Sequence, residues 1–187
     1  MIRLSALLAA ALGALLLIAG CSQQPAEHDH ANHDHGSSAT HNAQDVMFAQ
    51  HMIPHHRQAV ELSALVPERT QNAEVRRLAQ QISDAQQPEI DTMTGWLTAW
   101  GETSGSGGHD AMAGMVDDAT MQRLTDSRGT AFDRLWLQSM IAHHEGAVTM
   151  AQQEVDNGGN PDAKALARRI VETQRAEIDQ MKKLLGP

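Results

Sequence analysis

Two histidine pairs are the residues whose type and spacing point most directly to chemistry. His55-His56 and His143-His144 stand 88 residues apart in the sequence. On a helical wheel at about 100° per residue, both pairs flank the side opposite the polar residues, so they should point at least partly into a helical domain. Burying four imidazoles is costly unless their ring nitrogens are satisfied, and imidazole is a good transition-metal ligand. The pattern predicts metal binding. The alternative is a set of hydrogen-bonded core histidines.

Methionines accompany both pairs and indicate which metal to expect. Thioether sulfur is a soft ligand that prefers Cu(I) to zinc or magnesium. We therefore expect copper as Cu(I), with Ag(I) as its chemical analogue. The alternative role of these methionines is apolar core packing. The candidate ligands beyond the two histidine pairs are Met52, Met140, His51, Met93 and Met181.

Acidic residues near the histidines could orient the imidazoles for a metal or could simply be their hydrogen-bond partners. Di-iron sites in helical bundles use Glu-x-x-His, which does not occur in the predicted helices, and the zinc-hydrolase motif His-Glu-x-x-His is absent. We therefore expect a protein that is not an enzyme. The acidic candidates are Asp45, Asp133, Glu89 and Glu177.

The N-terminus predicts export. Residues 1–20 combine the positive charge of Arg3 with a long apolar run, as in a secretory signal. Residues 17–21, Leu-Ile-Ala-Gly-Cys, resemble a bacterial lipobox, in which Cys21 carries lipid after cleavage. We expect a periplasmic protein held to a membrane by this lipid alone, and Ser22 favours the outer membrane. The alternative is a plain signal peptide with an incidental cysteine.

A polar, histidine-rich tether follows over residues 21–41. It lacks apolar periodicity, which predicts a flexible segment. Clustered imidazoles in such a segment can capture metal, although the same composition also suits a soluble linker. The tether histidines are His28, His30, His33 and His35.

Residues 42–187 predict an all-α domain. Asn42, Asn72 and Asn160 are good helix N-caps, and Gly101 is a good helix terminator. No stretch has the alternation typical of a strand. The predicted helices cover residues 42–67, 73–100, 118–126, 130–156 and 161–185.

An internal repeat organises this domain. A single offset of 88 relates the two halves, so that Asp45 matches Asp133 and Met52 matches Met140. The same offset holds in the second helix of each half. Each half, about residues 42–100 and 118–187, should be a helical hairpin that cannot bury its apolar stripe alone. Two such hairpins predict a four-helix bundle.

Composition excludes some partners. The net charge is −9 and the basic residues are scattered, which argues against nucleic acid and anionic lipid surfaces.

The doubled motif resembles a known family. Asp45-x-x-Phe48-x-x-x-Met52-Ile53-Pro54-His55-His56-x-x-Ala59, its counterpart from Asp133 to Ala147, and Gln86-x-x-Glu89-Ile90-x-x-Met93 with its counterpart are similar to the domain-of-unknown-function family 305. The resemblance implies a ferritin-like four-helix fold and export, with copper or silver binding in some members. It implies no enzyme activity.

Two functions remain open on this evidence. The first is an exported lipoprotein that binds copper for buffering, tolerance or delivery in the cell envelope, with a copper-handling envelope protein as its partner and a homo-oligomer among its assembly states. The second is a non-enzymatic helical interaction module whose histidines are structural or sense pH.

Overall fold

The computed structural model describes residues 40–103 and 112–186, and every regular element in these two ranges is an α-helix. The all-α prediction is therefore confirmed for the described part of the chain. The predicted signal sequence, Cys21 and the four tether histidines lie outside these ranges. None of the described helices is long and apolar enough to cross a membrane. The helices are α1 (Ala43–Arg69), α2 (Ala73–Trp100), α3 (Asp118–Asp126), α4 (Gly129–Asn157) and α5 (Pro161–Leu185).

Asparagine side chains set three of the helix starts, as predicted. Asn42 accepts hydrogen bonds from two backbone N–H groups of the first turn of α1, and Asp45 completes the capping box. Asn72 and Asn160 do the same for α2 and α5. Gly101 ends α2 at φ 74°, a conformation that glycine adopts without strain. Local capping therefore fixes the starts of α1, α2 and α5 and the end of α2, whereas α4 begins without a side-chain cap.

The four long helices pack in two pairs. α1 packs along α2, α4 packs along α5, and the two pairs meet mainly through α1 and α4. α1 and α4 run antiparallel. At one end Asn42 Nδ2 donates to the carbonyl of Asn157 over 3.0 Å, and towards the other end Trp136 Nε1 donates to the carbonyl of Leu62 over 2.9 Å.

The connection between α2 and α4 runs beside α1. Near the start of α1, Gln50 Nε2 donates to the carbonyl of Thr103 over 2.9 Å. Further along, Gln58 hydrogen-bonds to Val116, and α3 then packs against α1 and α4. Both described ends of this connection therefore contact α1.

Two apolar clusters fill the interior, one towards each end of the helices. Residues 88 apart occupy matching places in the two clusters, as Trp136 and Phe48 do. The first cluster contains Ala59, Leu62, Val66, Val75, Leu78, Ala79, Ile82, Leu124, Phe132, Trp136, Leu137, Met140, Ile178 and Met181. The second contains Phe48, Ala49, Met52, Ile53, Ile90, Met93, Leu97, Ala147, Ala151, Leu166, Ala167 and Ile170.

Candidate metal centre

A polar layer separates the two apolar clusters. On each long helix, the residues between the two clusters include histidine, or glutamine and glutamate. On α1, for example, Met52 belongs to the second cluster and Ala59 to the first, and the first histidine pair lies between them. The central polar layer consists of His55, His56, Gln86, Glu89, His143, His144, Gln174 and Glu177.

His55 and His143 meet at the centre of this layer. Their ring centroids are 3.7 Å apart, and the ring planes are inclined by 38°. Both side chains are buried, and they come from the two different helix pairs. The contact joins two residues that the repeat relates by the offset of 88, so α1 and α4 present equivalent positions to each other here.

The other two histidines each pair with a glutamate on the adjacent helix. His56 Nε2 lies 2.7 Å from Glu89 Oε2, and His144 Nε2 lies 2.9 Å from Glu177 Oε2. Both imidazoles are buried, whereas the two carboxylates are partly exposed. An imidazole that donates one N–H to a carboxylate presents its other nitrogen in a fixed direction, which is the arrangement common behind metal-bound histidines.

Several ring nitrogens in the layer have no hydrogen-bond partner. His55 uses Nε2, which lies 3.3 Å from the carbonyl of Ala113. Because carbonyl and carboxylate oxygens only accept, the protons of His55, His56 and His144 belong on Nε2, and Nδ1 of each carries a buried lone pair without a donor. Neither ring nitrogen of His143 makes a well-aligned hydrogen bond, although the backbone of His55 lies close to this ring. Such buried lone pairs are costly unless something coordinates them, and a metal ion fits this need.

Burial keeps the central pair neutral. Burial, followed by the neighbouring imidazole of His56, lowers the pKa of His55 to about 3. Burial and the adjacent ring of His55 hold the pKa of His143 well below its usual range. Neutral imidazole is the form that binds metal, so no proton competes for these nitrogens near neutral pH.

The predicted methionine ligands flank the layer within the apolar clusters. Met52 and Met93 belong to the second cluster, Met140 and Met181 to the first, and all four are buried. His51 is partly exposed. Within the described ranges, no three or more His, Cys, Asp or Glu side chains are arranged around a single point that could hold a metal. A metal site in this layer would therefore have to use the two central imidazoles, alone or with thioether sulfur.

Asp45 and Asp133 act at helix ends rather than on the histidines. Asp45 accepts hydrogen bonds from the backbone N–H groups of Gly159 and Asn160, at the start of α5. Asp133 Oδ2 accepts from Asn72 Nδ2 over 3.4 Å, at the start of α2. Carboxylates are favourable at helix N-termini, where the backbone N–H groups lack intrahelical partners. Of the four acidic candidates, the structure therefore brings Glu89 and Glu177 to the histidines.

Sequence reasoning missed two glutamines of the layer as site residues. Gln86 and Gln174 are both buried, and the amide nitrogen and oxygen of Gln86 and the amide oxygen of Gln174 have no hydrogen-bond partner. Their signal lay in the repeat. Each interrupts an apolar stripe, as Gln86 does between Ile82 and Ile90.

A second buried acid, Glu154, was also missed. It is fully buried and lies against Asp45, with which it shares a carboxyl–carboxylate contact. The Gln44 amide and the Lys164 ammonium lie near enough to favour its charged form, but they do not outweigh burial and Asp45. Burial, followed by the contact with Asp45, raises the pKa of Glu154 to about 8. The corresponding position of α1 holds an apolar residue, Val66, so the repeat does not predict a buried acid at position 154.

Comparison with known proteins places the chain among similar structures. A family model described as a domain of unknown function, DUF305, matches residues 45–185. A DUF305 protein from Streptomyces coelicolor, described as a candidate secreted protein, is 39% identical, with a TM-score of 0.73 over 76% of this chain and 91% of that one. A DUF305 fragment from Deinococcus radiodurans is also 39% identical, with a TM-score of 0.72 over 78% and 97%.

A third similar structure is CopM in its Cu(I)-bound form, which is 29% identical, with a TM-score of 0.65 over 75% of this chain and 94% of that one. CopM has also been solved in Cu(II)-bound and silver-bound forms. None of the three descriptions names an enzyme. No curated protein matches the chain significantly.

Proposed function

The chain belongs to the DUF305 family, and from this premise we propose that it binds copper in the bacterial cell envelope, mainly as Cu(I), and buffers it or passes it on. The observation that carries the proposal is the contact between His55 and His143, two buried neutral imidazoles with partnerless nitrogens. The copper-bound and silver-bound forms of CopM support the choice of metal.

The chemistry of the donors suits a soft monovalent cargo. Cu(I) accepts neutral imidazole and thioether ligands and tolerates a low coordination number. In the proposed site, His55 and His143 are the primary ligands. Met52 and Met140 each precede one of them by three residues, a spacing that puts side chains on neighbouring positions of a helix. Apolar clusters on both sides keep water from competing, which disfavours strongly hydrated ions such as magnesium.

The remaining polar groups support this pair. His56 with Glu89, and His144 with Glu177, form carboxylate–imidazole units whose Nδ1 lone pairs can serve a second ion or a transient position during transfer. His51, Met93 and Met181 are proposed as additional ligands in that role. Since Cu(I) and Ag(I) have similar ligand preferences, silver is the expected alternative cargo.

We also propose a bundle architecture for the helical domain and a lipid-anchored location for the chain. The four long helices form a ferritin-like bundle of two repeated hairpins, which puts the pair where the hairpins meet. The signal over residues 1–20 exports the chain, lipid on Cys21 anchors it in a membrane, preferably the outer one, and a copper-handling envelope protein receives the metal. The tether histidines that capture copper are His28, His30, His33 and His35.

Anaerobic Cu(I) titration against a chromophoric chelator tests the proposal. The background is the mature chain with its four tether histidines changed to alanine, so that only the helical domain can bind. In this background we expect tight binding, and we expect His55→Ala with His143→Ala to weaken it at least tenfold, the cost typical of disturbing a metal site. His41→Ala is the matched control, because His41 is exposed and stacks on Trp100.

The alternative outcomes are distinct. If the double variant keeps its helical circular dichroism and binds Cu(I) as tightly as the background, the central pair is not the site. If the background binds no Cu(I) but the intact tether does, copper handling belongs to the tether, and the helical domain is left as an interaction module.

A further inference from the structure

A short segment of the α2–α4 connection covers the central histidine pair. We call residues 112–116 the strap. The carbonyl of Ala113 in the strap lies 3.3 Å from His55 Nε2. The strap approaches α4 so closely that a Cβ atom on Gly146 would lie 1.9 Å from the same carbonyl oxygen. A Cβ atom on Gly114 would lie 2.4 Å from the carbonyl of Ala142. Two glycines therefore allow the strap to reach the imidazole.

Gln58 holds the strap in register. Its amide Nε2 donates to the carbonyl of Val116, and its Oε1 accepts from the backbone N–H of Val116, both over 2.8 Å. The side chain thus pairs with one strap residue through donor and acceptor together. Gln58 follows His55 by three residues on α1, so the clamp and the imidazole lie on neighbouring positions of the helix.

The repeat shows that this arrangement exists on one side of the pair. The residue matching Gln58 is Gly146, which has no side chain to offer a second clamp. His143, the counterpart of His55, faces the backbone of His55 rather than the strap. The strap therefore makes two otherwise equivalent imidazoles chemically different.

We propose that the strap is the positioning element of the metal centre and that Gln58 is its positioning residue. A carbonyl oxygen can only accept, so the Ala113 carbonyl fixes the proton of His55 on Nε2 and leaves Nδ1 as the nitrogen that binds metal. The strap carbonyl contacts the ring of His55 and not that of His143. The metal part of this inference rests on the proposed function, whereas the tautomer part does not.

Nitrogen-15 NMR of the histidine rings in the metal-free full-length protein tests the tautomer. In the wild type, we expect His55 to show one tautomer with the proton on Nε2. Two variants disturb the strap in different ways. Gln58→Ala removes the clamp, and Gly146→Ala pushes the Ala113 carbonyl away while favouring helix α4. In both, we expect the His55 signals to become those of a tautomer mixture.

Gln50→Ala is the matched control, because Gln50 binds the same connection at Thr103 but touches none of the strap. It should leave the His55 signals unchanged. If His55 keeps its single Nε2–H tautomer in both Gln58→Ala and Gly146→Ala, the strap does not position it and the proposal fails. Gln58→Ala removes a side chain from α1, whereas Gly146→Ala adds a methyl group on α4. If one of the two variants does not fold, the other still provides the test.

Ag(I) titration of the same variants, made in the background without the four tether histidines, supplies the second readout. Loss of a group that orients a metal-bound imidazole typically weakens binding 10–100-fold, so we expect Gln58→Ala to weaken Ag(I) binding about tenfold, with Gln50→Ala unchanged. If Gln58→Ala binds Ag(I) as tightly as Gln50→Ala does, the strap does not position a metal ligand. A wild type with the fixed tautomer but no Ag(I) binding would overturn the proposed function and leave the tautomer assignment standing.

Discussion

The change Glu154→Gln should make the protein more stable in alkaline solution. Glu154 is fully buried against Asp45, and two carboxyl groups in contact cannot both be ionised without strong repulsion. Burial raises the pKa of Asp45, but the hydrogen bond from Glu154 and then the backbone N–H groups of Asn42, Asn160 and Gly159 lower it further, so Asp45 keeps its charge. Glu154 therefore holds the proton. Glutamine has nearly the same shape and donates an N–H to Asp45 at every pH.

The sign and size of the effect follow from the pKa of Glu154. Its pKa rises from an ordinary value of 4.5 to about 8 in the folded protein. Between these values the folded state binds more protons than the unfolded state, so the free energy of unfolding falls as pH rises from about 4.5 and levels off above about 8. At about 1.4 kcal/mol per pKa unit, the upper bound is about 5 kcal/mol. Because the two acids titrate as a coupled pair, we expect about 2–3 kcal/mol.

Urea unfolding followed by circular dichroism at pH 5, 7 and 9 measures this effect. The wild type should lose stability across the series, whereas Glu154→Gln should change little, so that the two proteins diverge most at pH 9. Glu172→Gln, at an exposed position of α5, is the control for removal of one negative charge. Parallel pH profiles for the wild type and Glu154→Gln would show that Glu154 does not hold a proton in the folded protein.

Three further substitutions test other contacts. Trp136→Phe removes the indole N–H that donates to the carbonyl of Leu62 and opens a cavity, so thermal unfolding should report a loss of about 2–4 kcal/mol. An unchanged melting temperature would contradict this contribution. Gly114→Ala adds a Cβ at φ 84° against a backbone carbonyl of α4, and should cost at least about 1–3 kcal/mol in the same assay. Glu177→Gln should weaken Cu(I) binding about tenfold in the chelator titration if His144 contributes to metal binding, and unaltered affinity would remove that pair from the site.

The sequence was sufficient where local chemistry decides the structure. Asparagine caps and Gly101 placed the helix ends within two residues of those observed, because capping depends on the residues of one turn. The helical wheel predicted that both histidine pairs point inwards, and all four imidazoles are buried. The wheel and the repeat together supplied the candidate site, because a residue and its counterpart must occupy equivalent positions.

The sequence was insufficient where a distant segment decides the environment. Pro54 and Gly146 fall on the polar side of their wheels, yet both are buried. Gly146 is covered by the strap, which belongs to a connection with no periodic pattern of its own. The pairing of Asp45 with the start of α5 joins residues more than 100 positions apart, and no local rule relates them. The sequence shows that Glu154 stands where the repeat has Val66, but it does not show that Asp45 is the residue that Glu154 contacts.

The meeting of His55 and His143 has a consequence for the mechanics of the chain. Copper held between them would join two points 88 residues apart and act as a reversible cross-link. Because the unfolded chain would release the metal, each tenfold excess of free copper over its Kd would add about 1.4 kcal/mol to the free energy of unfolding. A loaded protein would therefore resist unfolding and proteolysis, and an empty one would be the form that a protease cleaves first.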